Sequence, residues 1–167
     1  MFGYASDATI SGFTLEGSII TSGTNQYAAC LVAVAKAGSI NNISIVDSQI
    51  NSTYAGAGLS YIGGVIGSYI AGTAATLSSI TIDNLAISIP LGGYSGGVVG
   101  NIPLSTTVAI STVLITDLNL TGTICLGGVV GYQVGSVTIS GVTINASTGI
   151  TPKISGTGYV GGVVGRS

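Results

Sequence analysis

Tyr61-Ile62-Gly63-Gly64-Val65-Ile66-Gly67 recurs with little change as Tyr94 to Gly100, as Tyr159 to Gly165 and, with cysteine in the tyrosine column, as Cys125 to Gly131. The first glycines of the pairs are Gly63, Gly96, Gly127 and Gly161, giving spacings of 33, 31 and 34. A degenerate first copy reads from Cys30 to Lys36, with Val32 in the equivalent place and a spacing of 31 to Gly63. Ahead of each copy runs a second motif, apolar-Ser-x-apolar-Thr-apolar. It reads Ile10 to Leu15, Ile40 to Ile45, Leu77 to Ile82, Ile110 to Ile115 and Ile139 to Ile144. One unit is therefore used five times, the signature of a repeat architecture.

Both halves of the unit favour strands. The Thr/Ser-alternating half has period two and many β-branched residues. Gly, Ser, Thr, Val and Ile all rank poorly in helix interiors, so no helix is expected. The Gly-Gly-Val-Val-Gly half is a short apolar strand bounded by glycines, which permit positive φ or a close approach of neighbouring backbone. The intervening stretches, such as 52–58 and 147–157, absorb the length differences and are expected as surface loops. A helix-free unit this short cannot bury an apolar face alone, whereas stacked units cover one another. The expected fold is all-β: a parallel β-solenoid of about five coils forming one domain over 1–167, about 24 Å tall at a strand spacing of about 4.8 Å. Its structural columns are Gly63, Gly96, Gly127 and Gly161; Gly64, Gly97, Gly128 and Gly162; and Gly67, Gly100, Gly131 and Gly165. The alternative is a β-sandwich or barrel built of hairpins, which short strands with glycine turns also fit.

Composition narrows the function. Of 167 residues, 28 are Gly, 3 are Lys or Arg, 5 are Asp or Glu, and there is no His or Trp. Without histidine, most metal sites and every His-dependent triad are excluded. Three basic residues and a net charge of −2 argue against nucleic-acid binding, which needs cations against phosphates. At 46% hydrophobic and 5% charged, the chain is the reverse of a disordered one. Mean hydropathy is +0.73, yet the longest apolar run, Tyr27 to Ala35, is far short of the roughly 18 residues of a membrane helix. No basic-then-apolar leader opens at Met1, and both ends read as cut from something longer, so the chain is expected to be a fragment.

The segment Cys125-Leu126-Gly127-Gly128-Val129-Val130-Gly131-Tyr132, followed by Gly135-Ser136-Val137-Thr138-Ile139-Ser140, resembles the GLUG repeat of bacterial and protist surface proteins. Tyr61 to Gly67 and Tyr159 to Gly165 resemble its first part. Here Val or Ile stands where that pattern has Leu. The resemblance implies an extracellular, adhesin-like repeat region with no catalytic residues to carry over.

Candidate sites are few. Glu16, Asp47, Asp83 and Asp117, with Asn145 in the fifth copy, each follow the first strand of a repeat. A row of carboxylates suggests Ca²⁺ at Asp47, Asp83 and Asp117, or the paired acids of a polysaccharide-cleaving solenoid. Turn formation is the ordinary role of such residues, and Glu16 and Asp83 fall one place earlier than Asp47 and Asp117. Cys30 and Cys125 are read as sharing the tyrosine column three coils apart, about 14 Å, too far for a disulfide, and so as buried thiols. Tyr61, Tyr94 and Tyr159 suggest packing ahead of a glycan-stacking ladder. Rows including Thr81, Thr112 and Thr143 suggest an ice-like hydroxyl lattice, interrupted at Ser44 and Leu114. Sequons for glycosylation stand at Asn42, Asn51, Asn119 and Asn145.

Taken together, these features point to a structural, self-associating extracellular surface protein, not an enzyme and without a cofactor, stacking end to end as a filament, stalk or coat. Its expected partners are other copies of itself or neighbouring repeats of the same chain, with no nucleic acid and no membrane span. The alternative is the rigid stalk of an adhesin that binds glycans or host surfaces.

Overall fold

A computed structural model describes residues 1–56, 58–149, 151 and 153–167. Among them every strand pairing is parallel, there is no helix, and the chain winds through five coils into three sheets. That pairing excludes the sandwich. Of the loops expected at 52–58 and 147–157, residues 57, 150 and 152 lie outside the described set.

The long sheet carries the Ser/Thr-alternating halves. Its rungs are β2 (Thr9–Glu16) with β3 (Ile19–Ser22), β6 (Gly38–Ser52), β9 (Ala74–Ile89), β12 (Thr107–Thr116) with β13 (Asn119–Gly122), and β16 (Ser136–Asn145) with β17 (Lys153–Gly156). β17 lies inside a stretch expected to be loop, and it pairs with β13 from Asn119↔Lys153 to Gly122↔Gly156. The tyrosine sheet contains β4 (Tyr27–Ala29), β7 (Ser60–Gly63), β10 (Gly93–Gly96), β14 (Cys125–Gly127) and β18 (Tyr159–Gly161). The valine sheet has six strands: β1 (Phe2–Ser6), β5 (Val32–Lys36), β8 (Ile66–Tyr69), β11 (Val99–Ile102), β15 (Val130–Gln133) and β19 (Val164–Arg166).

Register places like on like. Ile10, Ile40, Leu77, Ile110 and Ile139 form one column of the long sheet, and Leu15, Ile45, Ile82, Ile115 and Ile144 another. These face Leu31, Val65, Val98 and Val129 and the valine-sheet column Val32, Ile66, Val99 and Val130, all fully buried. The long strands bend where the backbone turns left-handed, at Asn42, Ser79 and Thr112 and again at Asp47, Asn84 and Asp117, with φ between 46° and 56°. Asn and Asp enter that region more readily than other side-chain-bearing residues, which explains their place in the repeat.

The repeat glycines answer close packing and not backbone angle; none of the twelve has positive φ. A Cβ on Gly63 or Gly96 would overlap the carbonyl oxygen of Ile66 or Val99 across the corner between the tyrosine and valine sheets. One on Gly100 would stand 2.6 Å from the backbone N and O of Ile62, and one on Gly131 2.6 Å from the backbone of Ser95. The two sheets thus meet backbone on backbone. Gly64, Gly97 and Gly128 answer a different demand, because a Cβ there would strike the carbonyl of the next rung's glycine.

Two stability outcomes follow. Gly96→Ala is expected to destabilise the fold by about 3 kcal/mol or more in denaturant melts, because backbone on both sides of the added carbon has nowhere to go. Ser95 interrupts the apolar column of Ala28, Ile62 and Leu126, and its buried hydroxyl has no partner. Ser95→Ala is expected to raise stability by about 1 kcal/mol, since an unsatisfied buried hydroxyl costs that much or more.

Candidate functional site: the two ends of the stack

Four of the five acidic residues, all but Asp7, divide between two adjacent columns. One holds Glu16, Val46, Asp83, Thr116 and Asn145; the next holds Asp47, Asn84 and Asp117. No acid lies directly above another. Asn84 Nδ2 donates to Asp47 Oδ1 at 2.6 Å, and the Ser147 backbone N–H donates to Asp117 Oδ1 at 2.7 Å. These carboxylates therefore bridge one rung to the next at the bends. Among the described residues no three His, Cys, Asp or Glu are grouped to hold a metal ion. Of the sequons, Asn119 and Asn145 are exposed, Asn42 is exposed at a bend, and Asn51 is half-buried with its Oδ1 accepting from Gln49 Nε2 at 3.1 Å.

Threonines do not form one lattice. Thr14, Ser44, Thr81, Leu114 and Thr143 share a column, whereas Thr112 belongs to the left-handed bend column with Asn42 and Ser79. The tyrosine column is longer than its motif suggested: Tyr27, Tyr61, Tyr94, Cys125 and Tyr159. Tyr27 and Tyr61 stack at 5.2 Å between centroids and 16°, Tyr61 meets Tyr94 at 5.6 Å, and Tyr132 from β15 closes on Tyr94 at 4.3 Å. The rings spend much of their faces on one another along the stack. Arg166 completes the strip, 4.8 Å over the Tyr159 ring and 5.7 Å over Tyr132.

Cys30 is not in the tyrosine column. Tyr27 is, so the first copy runs Tyr27-Ala28-Ala29-Cys30-Leu31-Val32-Ala33, with Ala29 opposite Gly63 and Val32 opposite Ile66. Counted from Ala29 to Gly63, the first spacing is therefore 34 and not 31. Identity of Cys30 with Cys125 misleads because alanine and cysteine replace the glycines there. The backbone makes room: Cys30 N donates to Gly64 O, whereas Gly64, Gly97 and Gly128 each donate one residue earlier in the next rung. Both thiols are free and buried.

Burial pushes the Cys30 thiol up to about 12 from its ordinary 9.0, and burial likewise raises the Tyr69 hydroxyl. Below about pH 9 both folded and unfolded chains keep the thiol proton, and its contribution is full. As pH climbs from there toward 12 the unfolded chain ionises first, so stability falls, at most by about 1.4 kcal/mol per pH unit for one group. Denaturation midpoints should drop above pH 9, and Cys30→Ala should flatten the first part of that drop. An unchanged profile in the variant would contradict the assignment.

The two ends of the stack differ from its interior. In the last coil, columns that are sealed in the interior open to solvent: Val142, Ile144 and Ile154 are half-buried and Val163 is 41% exposed. With Leu118 and Gly162 they line an open apolar cavity of about 430 Å³. Among the described residues Gly162 has nothing within 4 Å of where its Cβ would stand, although Gly64, Gly97 and Gly128 in the same column have no room at all. The first coil is finished differently. Phe2 heads the column of Val32, Ile66 and Val99, and Phe13 heads that of Ile43, Ile80 and Val113. Their rings meet edge to face at 6.2 Å. Two of the three basic residues, Lys153 and Arg166, lie in the last coil, and two of the five acids, Asp7 and Glu16, lie at the first.

The chain is a parallel β-solenoid with a repeat of about 33 residues. No known family, curated protein or solved structure compared with it gave a match.

Proposed function

We propose that this chain is a structural, self-associating surface protein that stacks end to end through strand edges, as a filament, stalk or coat outside the cell. One observation carries the reading. The last coil keeps a glycine at Gly162 where only a further rung would demand one, and it presents apolar columns and an unpaired strand edge in the register of the coils beneath. Unpaired strand edges are templates for further pairing. A contact between unlike ends propagates into a fibre. The two ends also differ in charge: the last coil carries Lys153 and Arg166 with no acid, whereas the first carries Asp7 and Glu16 with Lys36. The 5% charged composition suits a surface covered by its neighbours better than one kept apart in solution. The four sequons and the resemblance of Cys125 to Ser140 to the GLUG pattern support an extracellular placement.

The same open rung favours a second reading, the rigid stalk of an adhesin, in which the missing rung is a further repeat of one polypeptide.

Gly162→Val separates the two. A Cβ at Gly162 meets nothing among the described residues of the single chain, so the variant's melting curve should match the wild type. End-to-end fibres in electron micrographs, expected of the wild type at high concentration, should be lost. Gly128→Val, by contrast, should unfold the chain. Wild-type protein that stays monomeric by light scattering at every concentration would remove the stacking reading and leave the stalk.

A further inference from the structure

The valine sheet has one strand more than the tyrosine sheet has, and this extra strand, β1, decides how two copies can meet. β1 lies on the outer edge of β5, with Phe2↔Val32 and Tyr4↔Val34 in register. At the opposite end β19 lies on β15, with Val130↔Val164 and Tyr132↔Arg166. Followed strand by strand, Phe2 and Val164 belong to one column, and Tyr4 and Arg166 to another. If a second copy sets its β2 and β3 on β16 and β17, and its β4 on β18, all three columns of sheet continue only if its β5 rests on β19. Its own β1 already occupies that berth. Seating β1 on β19 instead leaves the other two sheets one rung apart.

Resting on the stacking reading above, we propose that the end-to-end junction is a strand exchange: β19 of one copy displaces β1 of the next from β5. The partner is a second copy of this chain, and β1 is the strand that completes the edge of β5 until the partner arrives. Several features fit this role. β1 is held along one edge alone, and Phe2, Gly3 and Tyr4 are all exposed. An open cavity of about 170 Å³ adjoins it, lined by Phe2, Gly3, Ile20, Tyr27 and Ala29. The incoming β19 brings Val164 to the place of Phe2 and Arg166 to the place of Tyr4. Tyr27 then falls on Tyr159, extending the ring ladder, and Cys30 falls over Gly162, as a continuous stack requires. Parallel strand addition to a vacated edge is an established way for proteins to recruit one another.

The test pins β1 in place. Tyr4→Cys with Val34→Cys pairs neighbouring residues of adjacent strands, within the span that a disulfide bridges. Oxidised, this variant should remain monomeric by light scattering at concentrations where the wild type forms fibres; reductant should restore assembly. A second variant lacking residues 1–7 should assemble with a shorter lag than the wild type. Fibres growing from the oxidised variant at the wild-type rate would overturn the exchange while leaving end-to-end stacking intact. Failure of the wild type and both variants to assemble would overturn stacking, and the exchange with it.

Discussion

Everything else in this fold is arranged around the contact between the tyrosine and valine sheets at Gly63, Gly67 and their equivalents in the three later coils, where two backbones meet with no side chain between them. Glycine is required there by space, not by backbone angle. Because these two sheets collapse onto each other, one wall of the solenoid is a double layer of backbone. That arrangement sets which residues can be large. Ile62, Val65 and Ile66 point into the shared core and are fully buried. The residues beside them must be glycine, or alanine and cysteine where the first coil relaxes its hydrogen bonding.

The remaining columns follow from stacking. Once one coil closes around the glycine corner, the next inherits its register through the parallel ladders, and the inner columns hold mostly aliphatic residues. Isoleucines and valines fill the inner columns. Hydroxyls occupy the outer ones, and Asn, Asp, Ser and Thr take the left-handed bends. Asp47 and Asp117 are used as rung-to-rung acceptors at those bends, an arrangement that suits structure more than chemistry. Within the interior of the stack the coils differ at single positions such as Ser95 and Cys125. Differences appear at its ends, where Phe2 and Phe13 cover one mouth and Gly162 leaves the other bare.

Much of this was legible in the residues alone. The five copies, the absence of helix, the parallel stacking and the inward faces of Ile45, Ile82 and Ile115 all follow from a motif too apolar and too short to fold singly. The free, buried state of Cys30 and Cys125 was legible as well. Their placement was not. In the sequence the identity of Cys30 with Cys125 outweighs the fainter signal of Tyr27-Ala28-Ala29, in which small residues stand in for glycine. Thr112 was grouped with Thr81 and Thr143 because a one-dimensional pattern does not show which position of a strand bends left-handed.

Period, strand character and the alternation of inner and outer residues are all written into the side chains along one unit, and reading a single copy is enough to obtain them. What lies across a gap is not written there. Folding set which two glycine columns face backbone and which faces the next rung, which tyrosines touch, and that the valine sheet carries a sixth strand. Those are relations between one coil and the next, far apart along the chain, and their outcome depends on how closely one backbone can approach another.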